Sequence, residues 1–408
     1  MLSSAAFGDA EPGAVSQRMT ETGVWLSRLV VSQFRCYARA ELDLTAAPVV
    51  LTGPNGAGKT NLLEAISFLS PGRGLRRARL GEIDRAPPGE RPSNPWAVAA
   101  TVMTPQGPRD VGSGRDPGQN ADAQNGFGRE RRLVKVDGAA ARGQQSLAEI
   151  LSVVWLTPQM DGLFRESAGG RRRFLDRLVY GFDPEHSARC NAYEHALRER
   201  ARLLKSGRGD AAWLVSLEES MATRGVAIAA ARLDMVERLQ QACDGAEGPF
   251  PKVDLELEGT VEDLLRRGPA LAAEDALRDG LADSRRQDAE AGGAGLGPHR
   301  SDLQATHKAK GVAAALCSTG EQKALLIAIL MAYARLLTLE RGAAPLLLLD
   351  EVAAHLDAAR RAALYEEILD LGAQAWLTGT DAADFEGLQG RAQFFAINDG
   401  AIRPAGAA

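Results

Sequence analysis

The segment "GPNGAGKT", residues 53–60, constrains the fold of this chain more than any other. It fits GxxxxGK[ST] in a context that gives the pattern physical meaning. A short apolar strand, "PVVL", precedes it, and a helix with Leu62, Leu63, Ile66 and Leu69 on one face follows. Glycines at 53, 56 and 58 open backbone angles closed to other residues, so successive amides can turn inward around a phosphate. The helix N-terminus adds partial positive charge. The expected ligand is ATP, held by Gly53, Pro54, Asn55, Gly56, Ala57, Gly58, Lys59, Thr60 and Asn61. Lys59 is expected to reach the β- and γ-phosphates, and Thr60 to ligate Mg²⁺.

A second stretch, "LLLLDEVAAHLD" (346–357), supplies the other half of such a site. A continuous apolar run reads as a strand buried on both faces of a parallel sheet, and acids at its carboxyl end emerge where such sheets bind ligands. Asp350 is expected to hold Mg²⁺ through water, and Glu351 to deprotonate a water attacking the γ-phosphate. One acid alone would read as a helix cap. Two adjacent acids after four leucines, in a chain with a phosphate loop, read as the catalytic pair.

Composition limits what surrounds this site. The chain has 408 residues, 45% hydrophobic, enough for a large α/β unit with an insertion. Its net charge of −5 excludes a uniformly basic nucleic-acid coat, so any such contact must come from a local patch. Cys36, Cys190, Cys243 and Cys317 form no CxxC pair, which fits reduced thiols in a cytoplasmic protein better than a disulfide framework or a zinc site. The first residues lack the basic and apolar regions of a secretory signal. The apolar run from Ala324 to Leu339 is bracketed or interrupted by Lys323, Arg335 and Glu340, and reads as a buried core helix rather than a membrane span.

Along the chain, residues 1–23 read as a disordered tail and residues 24–162 as the first part of an α/β head. That part opens on a hairpin between Trp25 and Leu44. Strands are expected around Trp96 to Met103 and Arg132 to Val136, joined by a long mobile loop over 104–129, and a further strand ends at Pro158. Residues 163–291 are rich in Arg, Glu, Ala and Leu and read as a helical insertion, with helices about 30 to 45 Å long. Residues 292–408 resume α/β order, with strands at "PLLLLD", "QAWLTGT" and "AQFFAIND".

In this order the motifs resemble the ABC-type ATPase head shared by SMC proteins and their DNA-repair relatives, and within that group the RecF family. The resemblance rests on "GPNGAGKTNLLEAI", "TPQMDGLFRESAGGRRRFLD" (157–176), "GPHRSDL" (297–303), "STGEQK" (318–323) and "LLLLDEVAAHLDAARRAAL", spread over most of residues 25–400. It implies an α/β, ABC-type P-loop NTPase head, a mixed sheet with helices, and an inserted, mainly helical lobe. It also implies that Ser318 and Gly320, at a helix start, cap the γ-phosphate of ATP held by a second subunit, and that Asp357 lies on the loop crossing that dimer interface. An anion-facing helix end with Glu321 in its first turn agrees with this.

The chain departs from the pattern at Thr319 and Glu321, where transporters carry glycine and glutamine. It also carries Gln159 where the family usually has an acid, and Gln159 reads either as a Mg²⁺- and water-sensing glutamine or as a plain substitution. The transporter switch histidine is missing after "AWLTGT", where Thr380 is the stand-in. Slow, DNA-stimulated, dimer-dependent hydrolysis is therefore expected.

The implied task is DNA replication and repair within the DNA-damage (SOS) response. An ATP-dependent homodimer would bind double-stranded and gapped DNA and, with RecR and RecO, help load RecA. A transporter-type subunit or a non-hydrolysing ATP scaffold are the competing readings. Two arginine groups are candidate DNA contacts: Arg73, Arg76 and Arg77 with Arg79, and Arg171, Arg172 and Arg173. For the second group the default reading is a solvated helix face, with a phosphate-contacting patch as the alternative. His299 and Arg300 read as a packing pair or as an interface element.

Overall fold

The computed structural model describes residues 23–86, 94–116, 131–207, 210–354 and 356–405. Compactness groups them into unit 1 (Met1–Pro158 with Leu337–Ala408) and unit 2 (Gln159–Leu336). All but one residue of the expected tail (1–23) and residues 117–129 of the expected loop lie outside the described residues.

Unit 1 opens with strands β1 (Trp25–Phe34) and β2 (Tyr37–Asp43), the hairpin that alternation predicted. Strand β3 (Val49–Thr52) leads through the phosphate loop into helix α1 (Lys59–Ser67). Strands β4 (Ala97–Thr104), β5 (Gly107–Asp116), β6 (Arg131–Val136) and β7 (Ala139–Ala140) complete an antiparallel sheet ordered β2-β1-β4-β5-β6-β7. Helix α2 (Gln145–Ala148) and strand β8 (Val153–Leu156) follow.

Strand β5 corrects the expectation of a mobile loop from residue 104. Only Val111 and Ser113 of β5 point into the core, so period-two hydrophobicity is nearly invisible in "GPRDVGSGRD". Two full ladders, to β4 and β6, hold the strand instead. Buried Arg132 adds a clamp. It donates to Ser113 Oγ (2.6 Å), Gly72 O (2.8 Å), Ser70 O (2.9 Å) and Phe68 O, and stacks over the Phe68 ring. The loop after α1 is thereby tied to the sheet.

Unit 2 runs through helices α3 (Ala168–Phe182), α4 (His186–Ser206) and α5 (Ala211–Gly245), strand β9 (Val253–Glu258), helices α6 (Thr260–Arg267), α7 (Ala270–Asp283) and α8 (Arg285–Ala291), and strands β10 (Asp302–His307) and β11 (Val312–Ala313). The three strands form a small antiparallel sheet, β11-β10-β9, that the helical reading of this region did not anticipate. A core of Met221, Ala222, Val226, Ala229, Leu277 and Leu281 joins the helices. Helix α9 (Thr319–Arg341) starts in unit 2 and ends in unit 1. By length and composition it could cross a membrane, yet 72% of its most apolar window is buried, as in a core helix.

Back in unit 1, strand β12 (Leu346–Leu349), helix α10 (Ala358–Asp370) and strands β13 (Ala375–Gly379), β14 (Gln393–Asn398) and β15 (Ala401–Pro404) build a second sheet ordered β15-β14-β3-β13-β12-β8. Its pairs are parallel except β14 with β15. All four leucines of β12 are buried, as a two-sided strand requires. One core, drawing on both sheets and on Leu62, Leu63 and Ile66 of α1, fixes the phosphate loop at the carboxyl ends of β3, β13 and β12.

Unit 2 also buries charge. Arg200, 1% exposed, is paired with Glu218 (2.9 Å) and Asp288 (2.7 Å). Asp176 of α3 accepts from Arg232 Nε (2.8 Å) and Nη2 (2.9 Å) of α5 and contacts His186 Nε2 (2.8 Å) of α4. Cys190 lies beside this trio, and Asp176, His186 and Cys190 offer ligand atoms within 4.8 Å of one another. Arg232 already occupies both Asp176 oxygens, so the cluster is an ion-paired junction rather than a cation cage.

Burial opposes ionisation of Asp176, but the hydrogen bonds from His186 and Arg232 outweigh it and bring the carboxyl down to about 2 from an ordinary 3.8. A lowered folded-state value stabilises the fold above the unfolded pKa, and that stability is lost as pH falls through the folded one. Asp176→Asn is expected to cost about 2 kcal/mol at pH 7. The gap to the parent protein in urea unfolding should shrink as pH drops from about 4 towards 2. An unchanged gap across that window would mean the ion pair is not its source.

Candidate nucleotide site

Two glycines shape the loop ahead of α1. Gly53 (φ +151°) passes so close to β14 that a Cβ would fall 2.1 Å from Ile397 O. Gly58 (φ +118°) packs against Cys36 and Tyr37, where a Cβ would lie 2.8 Å from both Sγ and the phenol oxygen. The loop is held from outside as well. Tyr37 donates to Gly58 O (2.9 Å), and Gly400 N, at the β14–β15 turn, donates to Ala57 O (3.1 Å).

Lys59 is folded back under this loop. Its Nζ donates to Gly53 O (2.6 Å) and Pro54 O (3.0 Å). Burial lowers the pKa of this ammonium, and the nearby Glu351 and Asp350 carboxylates counter the shift. Thr60 Oγ1 donates to Asp350 Oδ1 (3.0 Å), so the loop helix and the end of β12 meet where the two motifs predicted.

Thr378, at the end of β13, completes the arrangement and was missed by sequence reasoning. Its Oγ1 donates to Asp350 Oδ1 (2.7 Å) and accepts from Glu351 N (2.9 Å). One hydroxyl therefore fixes both acids. Glu351 adopts φ +51°, a left-handed conformation uncommon for a non-glycine residue, which turns the chain sharply after Asp350. Asp350 is 4% exposed. Burial raises its pKa, the Thr378 and Thr60 hydrogen bonds oppose that, and Glu351 adds to it. Thr380 is exposed and, among the described residues, makes no hydrogen bond. Thr378 lies in a strand buried at every position, so no local pattern sets it apart from its neighbours.

Asn61 donates to Cys36 Sγ (3.2 Å) and accepts from Arg76 (2.8 Å). Arg76 also joins Arg35 on the fully buried Glu64 of α1, so it works as a structural clamp on the loop helix. Arg77 is exposed, with a left-handed backbone. Arg73 and Arg79 instead line an open groove of about 900 Å³ together with Arg131 and Arg132. Arg131 adds a cation at the start of β6 that the sequence reading did not single out. Asp357 caps α10, its Oδ1 accepting from Arg360 N (2.8 Å), and is itself exposed.

In unit 2, Ser318 and Glu321 form a reciprocal capping box at the start of α9. Ser318 N and Oγ each donate to Glu321 Oε2 (3.0 Å), and Glu321 N donates to Ser318 Oγ (3.4 Å). Lys310 and Ser318 hold the Glu321 carboxyl at about 2. Ser318 is exposed and Gly320 half-buried, so the helix end opens to solvent. Gln159 is exposed in a 3-10 turn and, among the described residues, its side chain makes no hydrogen bond.

The Arg171–Arg173 run does not present one face. Arg171 forms a bidentate pair with Asp302 (2.7 and 2.8 Å) and donates to three carbonyls, Arg172 donates to Ser301 O (2.6 Å), and only Arg173 is exposed. His299 and Arg300 share Ala294 O as acceptor, and Tyr193 donates to His299 Nδ1 (2.8 Å), so both close the return from α8 to β10.

Known proteins carry the same architecture. Residues 25–387 match the sequence profile of the RecF/RecN/SMC N terminal domain. A DNA replication and repair protein RecF from Mesorhizobium japonicum is 47% identical over 93% of this chain and 97% of its own. One from Rhizobium etli is 45% identical over 93% and 98%. Among solved structures, the recombination mediator protein RecF with ATPrS in the RecFOR pathway superposes with a TM-score of 0.81 at 22% identity, covering 95% of this chain and all of that one. A Pyrococcus furiosus Smc head domain does so at 0.51 and 16%, covering 94% and 96%. Those two likenesses give the fold, an ABC-type ATPase head of mixed α/β build, while the profile and the close relatives give the lineage: the chain belongs to the RecF family of DNA replication and repair proteins.

Proposed function

We propose that this protein is an ATP-gated DNA clamp of recombinational repair and replication, acting in the cytoplasm as a slow ATPase. The observation that carries the reading is the convergence of Thr60 and Thr378 on Asp350 Oδ1 beside a loop whose lysine is folded inward. The residues fit Mg·ATP. A threonine hydroxyl and a carboxylate are the hard oxygen donors Mg²⁺ takes, and a glycine-rich loop at a helix start suits phosphate oxygens. When bound, Mg²⁺ neutralises charge on the β- and γ-phosphates.

The protein's own residues do the rest. Lys59 would leave the loop carbonyls for the phosphates, Thr60 and Asp350 would hold the metal, and Glu351 would accept a proton from the attacking water. Thr378 keeps Asp350 and Glu351 in register. Gln159 is the remaining candidate for sensing metal and water.

Ser318 and Gly320 of one chain face the γ-phosphate in another, with Asp357 at the crossing loop, so ATP binding drives homodimer formation. On this reading the working head comprises residues 24–162 and 292–408, and residues 163–291 form the inserted helical lobe. Relatives described as RecF in a RecFOR pathway support RecR and RecO as partners, and the task we assign is RecA loading at gapped duplex DNA. Duplex contacts are assigned to Arg73, Arg79 and Arg131 around the groove in unit 1, where Arg132 holds the backbone that presents Arg73.

Three outcomes are expected. Thr378→Val should lower ATP turnover about ten- to a hundredfold while ATP binding changes little, and Thr378→Ser should restore most of it, because a hydrogen bond to a buried carboxylate contributes about 1.5–3 kcal/mol. Equal turnover in all three proteins would remove Thr378 from the mechanism.

Lys59→Met and Ser318→Arg should each be inactive alone, yet regain part of the ATPase activity and DNA retention when mixed, since a mixed dimer keeps one intact composite site. No recovery between folded, exchanging subunits would exclude a site built in trans.

Replacing Arg73 and Arg131 by alanine should flatten the slope of log affinity against log salt for duplex DNA by about 2. An unaltered slope would place the duplex elsewhere.

A further inference from the structure

Unit 2 contains an open cavity of about 320 Å³ bordered by α3, α4, α5 and the Pro298–Arg300 turn. Its charged lining is unbalanced, with Arg172, Arg173, Arg198 and Arg232 against Asp176 and Glu194. The two carboxylates are already assigned. Asp176 is bidentate to Arg232, and Glu194 lies 3.5 Å from Arg198, one helical turn away. Arg172 and Arg173 therefore have no carboxylate of their own. Arg172 donates only to the neutral Ser301 O, and Asp302, the other nearby acid, is held bidentately by Arg171. The Arg173 side chain makes no hydrogen bond or ion pair among the described residues.

The bland account, a self-neutralised ionic junction, covers Arg232 and Arg198 but leaves these two. Burial, and the like charges of Arg232 and Arg173, weaken the hold of Arg172 on its proton; the Asp302 and Asp176 carboxylates offset this only in part, and a bound anion would add to them. The backbone prepares the same place. The cavity is lined by Gly169 in the first turn of α3, a 15-residue helix whose Ser167 makes no side-chain cap. A Cβ at Gly169 would sit 3.3 Å from Arg173 Nη1 and 3.6 Å from Arg172 Nη2, so both guanidinium groups lie against the helix start. Planar forks at a helix N-terminus match the oxygens of a phosphate. The opposite wall is apolar, from Leu197, Ile228 and Pro298 with the Tyr193 ring, and the volume is at the low end of small-ligand sites.

We infer that this cavity is a second phosphate-binding site, separate from the ATP loop, in which Arg172 and Arg173 hold the phosphate of a nucleotide unit. That unit comes either from a free mononucleotide or from the phosphorylated end of a DNA strand. The inference does not depend on the clamp reading of the ATP site.

Full-length protein saturated with ATPγS, so that the loop at Lys59 is filled, is titrated calorimetrically with four probes. These are inorganic phosphate, dAMP, and a short oligodeoxynucleotide with either a 5′-phosphate or a 5′-hydroxyl. Saturable binding of at least one phosphate probe, about tenfold weaker in Arg173→Gln and in Arg172→Gln, supports the site. Uptake of dAMP as well as the phosphorylated strand indicates a free nucleotide as the source. A preference confined to the 5′-phosphorylated strand over its hydroxyl counterpart, and abolished in Arg173→Gln, indicates the strand end. Arg173 is exposed, so its variant tests the site even if Arg172→Gln folds poorly. No saturable binding by any probe, or equal binding by parent and Arg173→Gln, overturns the inference. Failure to retain ATPγS would count against the ATP site and leaves the four titrations to decide this one in its absence.

Discussion

A single carboxylate oxygen, Oδ1 of Asp350, receives two threonine hydroxyls, one from α1 and one from β13. The nucleotide end of unit 1 depends on that convergence. It ties the phosphate-loop helix to two adjacent parallel strands, and through the second lone pair of Thr378 it also fixes the backbone amide of Glu351. A left-handed residue at Glu351 costs about 1–3 kcal/mol unless its surroundings enforce it, and the Thr378 hydrogen bond is part of that enforcement. Strain beside a buried acid marks where the sheet gives up local stability for a set geometry.

The same end of the unit holds opposite charges under burial. Burial raises the Asp350 pKa and lowers that of Lys59, so each charged form is held at a cost in the resting chain. Bound phosphate and divalent metal relieve both at once, which couples nucleotide binding to stability as well as to chemistry. At the start of α9 a comparable balance is struck locally. Glu321 answers the positive helix end and takes the Ser318 hydroxyl.

Local patterns carried much of this into the sequence. The strand–loop–helix at 49–67, the two-faced strand at Leu346–Leu349 and the hairpin at 25–43 are each set by neighbours within a few residues, and each was legible. The Ser318–Glu321 cap was legible for the same reason. What stayed hidden depends on distant partners. Strand β5 has almost no apolar pattern and exists through its two ladders. Strands β9 to β11 are short segments among helices. Arg171 looked free until β10 brought Asp302, 131 residues away, against it. Arg76 looked like a surface cation until buried Glu64 claimed it. Thr378 had no motif to announce it, since its role comes from the register of β13 beside β12.

The central claim is that ATP held between the loop at Lys59 and Asp350 is completed by Ser318 of a second copy. Sedimentation equilibrium of the full-length protein, with and without Mg·ATP, tests it directly. The account predicts a shift from monomer to dimer on ATP addition and its reversal on removal of the nucleotide. A protein that stays monomeric with ATP demonstrably bound would contradict it.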